Sequence, residues 1–484
     1  MTVPILRAGC FVLLLAGGFA QAQPPVDQKL PPALLRADFD TLRHALEEAH
    51  GGHERYASRQ EMGRLLDAHK AQLTRPMTRL EFSRVISEAI ADLRDEHERL
   101  ELDSTTTAAL AAAHLLPLRV RFEGDRLMVI SNDSPSDPTI RPGMQLTRIN
   151  GRPVSQIVAS LLPTIPHDGF IETGRRLRLS RQFAQYLWLY GGQAENFNVE
   201  ARDDSGRRVT ANLPGIVEED RPSSLDQRIP LPYRPVTSQD KQGNVVLEFT
   251  KDPSIAILRI RSFGGESFVA GLDSVFRALH DRYTQSLILD LRGNGGGVDE
   301  YGARLISYFT TSPFRYFDRI HLTSIAPSFA TWKQSTFEEI RAGTQPDSLR
   351  GGFLVNESLH SGVGMQQPSS PAFTGKLAVL IDGGSFSTTA DVAAQLRSWN
   401  RATFAGEETA GAYEGNTSGL NAQVILPNSR LRLKIMMYDY WNAVRTPRTK
   451  GRGTLPDQVV IPRVRELLRG NDPVLDRAIA LVTR

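Results

Sequence analysis

Cysteine is almost missing from this chain of 484 residues, since Cys10 is the single one. One cysteine cannot form an intramolecular disulfide, so a disulfide-stabilised scaffold is excluded. Cys10 also lies in an N-terminal segment that we expect to be removed. The remaining protein would have no thiol nucleophile, and any covalent catalysis must use another group.

The chain also lacks a strong excess of charge. Lys and Arg together number 57 and Asp and Glu 54, which gives a formal net charge of +3. No dense Lys/Arg run occurs, so neither nucleic-acid binding nor a polybasic membrane surface is predicted. The content of 40% hydrophobic and 23% charged residues is typical of a soluble globular protein. Peptides, proteins and small molecules remain as partners.

Long apolar runs are absent except at the N-terminus, which reads MTVPILRAGCFVLLLAGGFAQAQPP. A basic residue, an apolar stretch over 8–20 and the small-x-small sequence Ala20-Gln21-Ala22 predict a secretory signal cut after Ala22. The stretch is too short and too glycine-rich to span a bilayer, so the mature chain is expected to have no integral membrane segment. A lipoprotein anchor on Cys10 is the alternative. The main apolar run follows Cys10, however, whereas a lipidated cysteine should end the signal.

The pattern along the rest of the chain changes three times. Residues 23–112 show helical periodicity, with Thr78 and Glu81 spaced as a capping box, and predict a helical N-terminal domain. Short alternating runs separated by Gly, Asp and Pro predict a small β module over 113–216. A proline-rich polar stretch over 217–243 predicts a linker.

In residues 244–484, apolar strands such as IAILRI, SLILDL and KLAVLID alternate with amphipathic segments. Strands that are apolar on both faces and separated by helices predict an α/β sheet covered by helices. The segment 312–371 has no clear period and is rich in Ser, Gly and Pro, which fits a cover over a cleft.

Two loops at the carboxyl ends of these strands stand out, because ligands of α/β sheets bind at such loops. The first lies in LILDLRGNGGG, where four glycines free the backbone to expose consecutive N–H groups. The second lies in VLIDGGSFSTTADVAAQL and carries Ser387 at the turn into a helix. Ser387 either caps that helix or points its hydroxyl into the cleft as a nucleophile. The sequence is not the G-x-S-x-G elbow of α/β-hydrolases.

A serine nucleophile needs a base, and three histidines near the N-terminus have candidate roles. His97, in LRDEHERLEL, is either a residue at the edge of the core or that base. His50 and His53, in EEAHGGHERY, suggest a metal site but have no third ligand nearby. No metal and no cofactor are therefore predicted.

The two loop sequences resemble the catalytic core of the C-terminal processing (tail-specific) and tricorn-like serine peptidases. That family has a D-L-R-x-N-x-G-G strand end, then a serine-bearing turn, an R-A-T-x-x-G-E-x-T stretch and a G-x-x-P-D segment, all present here in order. The resemblance implies a ClpP/crotonase-like α/β core over 244–484. The sequence IRPGMQLTRINGRPVSQI resembles the family's PDZ-like module. The helical part resembles the interphotoreceptor-retinoid-binding-protein-like branch.

Residue by residue, the resemblance implies Ser387 as nucleophile and the N–H groups of Gly296 and Thr388 as oxyanion donors. The position of the processing-peptidase lysine is held by Ala412, so a Ser-Lys dyad is not expected. The tricorn-like branch uses an N-terminal histidine as base, which corresponds to His97. Its glutamate would fall at Lys450. The orienting acid stays open among three residues, which are Glu408, Asp439 and Asp391.

The sequence thus predicts an exported, periplasmic or extracellular serine endopeptidase that cleaves peptides or proteins through a Ser-His acyl-enzyme mechanism. Two alternatives remain open, a non-catalytic binding protein for hydrophobic ligands or peptides on the same fold and a Ser-His esterase or amidase. The oligomeric state and the ligand of the PDZ-like module are also open.

Overall fold

A computed structural model describes residues 28–134, 137–221, 243–447 and 449–483. The predicted signal peptide, including Cys10, and most of the predicted linker lie outside these ranges. Within them, no helix combines the length and the apolar character that a membrane crossing requires.

The N-terminal part is mainly helical, as predicted. The capping box is confirmed, because Thr78 Oγ1 accepts the Glu81 N–H at 3.2 Å and Glu81 Oε2 accepts the Thr78 N–H at 2.8 Å. The elements are β1 (Lys29–Leu30), α1 (Pro32–Ala49), α2 (Arg59–Ala71), β2 (Met77–Thr78), α3 (Arg79–Ala91), β3 (Arg99–Glu101) and α4 (Ser104–Ala111).

The middle part is an antiparallel sheet flanked by short helices, and it has a hydrophobic core of its own. Strands β4, β5, β6, β8 and β9 follow one another across the sheet, and β7 pairs with β6. The elements are β4 (Leu118–Glu123), β5 (Arg126–Asn132), β6 (Gln145–Ile149), β7 (Arg152–Pro153), α5 (Val154–Leu161), a 3₁₀ turn (Leu162–Thr164), α6 (Thr173–Arg181), α7 (Phe183–Tyr186), a π turn (Leu187–Gly191), β8 (Asn196–Arg202), β9 (Arg208–Pro214) and a 3₁₀ turn (Glu218–Asp220).

The C-terminal part alternates strands and helices. Its elements are β10 (Val245–Phe249), β11 (Ile255–Ile260), α8 (Phe268–Asp281), β12 (Ser286–Asp290), α9 (Asp299–Ser307), β13 (Phe314–Arg315), β14 (Phe317–Leu322), α10 (Gln334–Ala342), β15 (Thr344–Pro346), β16 (Phe353–Val355), a 3₁₀ turn (Ser361–Val363), β17 (Met365–Gln366), β18 (Lys376–Ile381), α11 (Thr388–Ser398), β19 (Thr403–Gly406), β20 (Thr417–Ile425), β21 (Arg432–Asn442), β22 (Gln458–Val459), α12 (Val464–Leu468) and α13 (Pro473–Thr483).

The main sheet has the strand order β10-β11-β12-β18-β19-β22, and all its pairings are parallel except that of β10 with β11. Helix α13 packs on one face, and the larger core lies on the other. Because β12 and β18 are neighbours, the loops after them emerge side by side at the carboxyl edge of the sheet. This topology positions the site.

The segment 312–371, which has no period in the sequence, contains five short strands and helix α10. Strands of two to six residues are too short to show a pattern, so the periodicity argument could not find them. Strand β14 pairs with β21 in a second sheet of order β15-β16-β14-β21-β20.

The N-terminal helices are not a separate layer. Strand β3 pairs with β21, and helix α1 packs against β20 and β21. Apolar residues of α1, α2 and α3 belong to the same hydrophobic core as those of the main sheet. Buried Asp38 of α1 ties this packing together, because its carboxylate accepts the backbone N–H groups of Asn428 at 2.8 Å and Ser429 at 2.6 Å.

We expect Asp38→Ala to lower the free energy of unfolding by on the order of 2–3 kcal/mol, because it leaves buried N–H groups without an acceptor. Asp40→Ala is the matched control on the same helix. Asp40 pairs with Lys70 at 2.6 Å at the surface, where an ion pair contributes less than about 1 kcal/mol. Chemical denaturation measures both variants. Equal losses of stability would show that Asp38 does not join the two parts.

Candidate active site

Ser387 occupies the turn between β18 and α11 in a backbone conformation that non-glycine residues seldom adopt, with φ of 56° and ψ of −133°. Strain of this kind persists where the surrounding structure fixes it. The side chain makes no capping hydrogen bond to α11. Its Oγ instead lies 3.2 Å from Nε2 of His97, so the helix-cap interpretation does not describe this serine.

His97 comes from the segment between α3 and β3, 290 positions earlier in the chain. Its ring packs on that of Phe386 with centroids 4.4 Å apart and an interplanar angle of 30°. The side chain keeps 16% of its surface exposed, which leaves one edge open to a cavity. The structure thus brings the predicted nucleophile and the predicted base together.

The surroundings of His97 keep its imidazole neutral. Burial lowers the pKa of His97 to about 4; the positive charges of Arg99 and Arg178 act in the same direction and the carboxylate of Asp95 acts in the opposite one. A neutral imidazole can accept a proton from a hydroxyl at neutral pH, which is the requirement for a general base.

Asp95 lies on the other side of His97, and the sequence did not single it out. Its Oδ1 accepts the backbone N–H of His97 at 2.8 Å and lies 3.8 Å from His97 Nδ1. Its Oδ2 lies 2.9 Å from Nε2 of the buried His50. Burial opposes ionisation, yet His50 and His97 hold the pKa of Asp95 below its usual value. The available signal was an aspartate two residues before a candidate base, since Asp often binds the backbone N–H two positions on.

The three predicted orienting acids are engaged elsewhere. Glu408 accepts from Arg452 at 2.8 Å and from the Gly453 N–H at 2.8 Å, and Asp439 accepts from Arg55 and Trp441. Asp391 accepts from Asn442 at 2.9 Å, and burial raises its pKa to about 8, with Asp299 contributing. Within the described ranges, no hydrogen bond joins any of the three to His97.

The glycine loop and the serine loop are joined by hydrogen bonds. Asp382 Oδ1 accepts the Gly293 N–H at 2.8 Å, and Ser385 Oγ donates to the Leu291 carbonyl at 2.9 Å. The Asn294 carbonyl accepts the Phe386 N–H at 3.1 Å. These bonds hold the strained turn at Ser387 against the neighbouring strand end.

The two predicted oxyanion donors differ in availability. Thr388 is the first residue of α11, so its N–H has no partner inside the helix. The Gly296 N–H, in contrast, donates to Asn294 Oδ1 at 2.9 Å. The neighbouring N–H groups of Gly295 and Gly297 have no acceptor among the described residues, and both glycines line the cavity at Ser387.

The position of the processing-peptidase lysine is buried and closed. The N–H of Ala412, which holds that position, donates to Asp168 Oδ2 at 3.3 Å. Lys450, at the position of the tricorn-like glutamate, is exposed. No lysine occurs among the described residues that line the cavity.

Among the described residues, a group of possible metal-ligating side chains lies around His97 and includes neither His50 nor His53. Ligand atoms of Asp95, His97 and Asp168 lie within 4.8 Å of one another. The carboxylates already accept hydrogen bonds, since Asp168 binds the N–H groups of Glu96 and Ala412. Burial, together with Asp95 and Glu96, raises the pKa of Asp168, which favours its neutral form.

Ser387 and His97 open into a cavity of about 630 Å³. Its walls come from all three parts of the chain and include the segment before β3, helix α6, the glycine loop and the serine loop. A hydroxyl against a neutral imidazole, with free N–H groups beside it, is the arrangement that serine-type hydrolases use.

Comparison with known proteins agrees with this geometry. Residues 254–460 match the family model described as Peptidase family S41. The structure of mature CPAF superposes with a TM-score of 0.66 at 15% identity, over 93% of this chain and 97% of that chain. Mature CPAF complexed with lactacystin gives 0.65 at 15% identity, over 93% and 98%. At this identity the superpositions show a shared fold. No curated protein matches the sequence.

The class of protein is therefore a serine-type peptidase. The match of residues 254–460 to peptidase family S41 confirms the resemblance predicted from the two loop motifs.

We expect Gly296→Ala to slow reaction at Ser387 about 10²-fold, because one misplaced oxyanion donor costs about 3 kcal/mol. Gly296 has φ of 100°, and an added Cβ would lie 2.7 Å from Ser387 Cβ and 2.9 Å from the Phe386 carbonyl oxygen. Gly295→Ala is the control, since its Cβ would meet nothing within 4 Å. The rate of labelling by a small fluorophosphonate measures both variants. Equal rates would contradict this account of the loop.

Proposed function

We propose that this chain is an exported serine endopeptidase in which Ser387 is the nucleophile and His97 the general base. The observation that carries the proposal is the 3.2 Å approach of His97 Nε2 to Ser387 Oγ, made by a serine in a strained turn. A peptide or protein is the substrate, and we propose the domain boundaries predicted from the sequence, with the module over 113–216 as PDZ-like.

The reaction proceeds through an acyl-enzyme. His97 Nε2 takes the hydroxyl proton while Ser387 Oγ forms a bond to the carbonyl carbon. The proton then passes to the leaving amine as the C–N bond breaks. Water, deprotonated by the same imidazole, hydrolyses the ester and restores Ser387.

The developing oxyanion is held by backbone N–H groups. Thr388 supplies the first, at the start of α11, where the helix dipole also favours negative charge. The glycine loop supplies the second. Gly296 can do so after its N–H leaves Asn294, and Gly295 and Gly297 present free N–H groups to the same cavity.

Asp95 acts as a positioning residue for the base. When Nε2 faces Ser387 as an acceptor, the imidazole proton sits on Nδ1, on the side of the Asp95 carboxylate. The separation of 3.8 Å is longer than a hydrogen bond, as is common before substrate is bound. His50 binds the other oxygen of the Asp95 carboxylate. The negative charge of Asp95 stabilises the His97 imidazolium that forms during the reaction.

Among the described residues, we find no feature that favours the binding-protein alternative. A cavity for hydrophobic ligands would not need a strained serine against a neutral histidine. The esterase or amidase alternative uses the same two side chains and differs only in the acyl group.

One experiment tests nucleophile and export together. The protein is recovered from outside the cytoplasm, treated with a fluorophosphonate and weighed by intact mass spectrometry. We expect a chain that begins at Gln23 and carries one adduct, and Ser387→Ala should carry none and cleave no peptide. Lactacystin, which is complexed with mature CPAF in a related structure, serves as a second probe. Undiminished labelling or cleavage by Ser387→Ala would refute the assignment of the nucleophile.

The pH dependence tests the base and Asp95. Activity requires neutral His97, so kcat/KM should rise with pH through a midpoint near 4, below the usual histidine value of about 6.5. Asp95→Asn removes a charge that raises the pKa of His97. The midpoint should therefore move to lower pH, and kcat should fall about 10²–10⁴-fold.

Asp92→Asn is the matched control, since Asp92 pairs with His69 at 2.8 Å away from the cavity. It should change neither the midpoint nor kcat. If Asp95→Asn lowers activity while the midpoint stays in place, Asp95 has only a structural role.

A further inference from the structure

One face of helix α6 forms a wall of the active-site cavity. Gly174, Leu177, Arg178 and Arg181, spaced three and four residues apart, all line it. Arg181 extends towards the glycine loop, since one of its terminal nitrogens lies 3.6 Å from where a Cβ on Gly293 would be. The helix thus places two guanidinium groups in the wall of the cavity that Ser387 also lines.

A third guanidinium group reaches the cavity from the segment that carries the base. Arg99 lies two residues after His97, lines the same cavity and donates from Nε to the Glu96 carbonyl at 3.0 Å. Its terminal nitrogens have no acceptor among the described residues.

One of these three arginines is paired with a carboxylate of the cavity wall, and the other two are not paired within the described ranges. Arg178 forms an ion pair with buried Glu96. Arg99 and Arg181 have no carboxylate partner within the described ranges. Asp299 also lines the cavity, but it is engaged by Thr388 Oγ1 at 2.9 Å.

The surplus positive charge acts close to the reacting atoms. Arg99 and Arg178 both lower the pKa of His97, which shows that their charge reaches the base. Burial, and then Arg178, lower the pKa of Arg99 as well. A bound anion would relieve this crowding of like charges, whereas a neutral group would not.

We propose that the peptidase selects substrates with an Asp or Glu side chain within about two residues of the scissile bond, its carboxylate bound by Arg99 and Arg181. This inference rests on the proposed function of Ser387 and His97. Arginine binds carboxylates through paired N–H groups and stays charged at all working pH values. Arg99 and Arg181 are specificity residues rather than participants in bond cleavage.

The test uses matched peptides that differ only by Glu against Gln at single positions flanking one cleaved bond, all with amidated C-termini. We expect kcat/KM to be about tenfold higher for Glu at the preferred position, and the ratio to shrink as salt is raised. The double variant Arg99→Gln/Arg181→Gln should remove the preference.

Arg176→Gln is the control on the same helix, because Arg176 pairs with Asp125 outside the cavity, at 2.9 Å. It should keep the preference. Fluorophosphonate labelling of each variant shows that Ser387 is still reactive.

Equal cleavage of Glu and Gln peptides by an enzyme that labels normally would overturn the specificity proposal and leave the mechanism intact. Failure of wild type to label would instead overturn the proposed function. A parallel series of the same peptides with free-acid C-termini covers the remaining source of a carboxylate. Faster cleavage of that series, without a Glu preference in either, would assign the arginines to a terminal carboxylate and overturn the side-chain proposal.

Discussion

The approach of an imidazole to a hydroxyl across one crevice is the constraint on which the rest of the structure depends. Ser387 is held in a strained turn that costs on the order of 1–3 kcal/mol, and hydrogen bonds between the serine loop and the glycine loop maintain it. His97 is held by Phe386 on one side and by Asp95 on the other. Each partner is fixed by its own surroundings, so the contact needs little reorganisation.

Burial determines the charge of His97 and of the carboxyl groups near it. The same exclusion of water that keeps His97 neutral raises the pKa of Asp168, and it raises the pKa of Glu98 to about 8. Asp95 remains ionised because His50 binds it. The network therefore concentrates its negative charge on the one carboxylate that faces the imidazole.

The proposed base, His97, comes from outside the region that matches the family model, and the N-terminal helices before it pack firmly on the main sheet. Their apolar faces share one core with the main sheet, and β3 extends the second sheet immediately after His97. A loosely attached helical domain would allow the base to drift from the serine. The middle part contributes in another way, because α6 supplies a charged wall of the cavity.

The sequence by itself determined the features that depend on near neighbours. The alternation of strands and helices, the capping box at Thr78 and the glycine and serine loops all follow from patterns within a few residues. The pairing of Ser387 with His97, which lie far apart in the chain, could be predicted only from the family resemblance. Tertiary structure alone decided that Asp95 stands behind His97, that the Gly296 N–H is directed to Asn294, and that Arg181 reaches the glycine loop. Such contacts join elements whose relative positions are set by packing and burial. They cannot be predicted from patterns within a few residues of the chain.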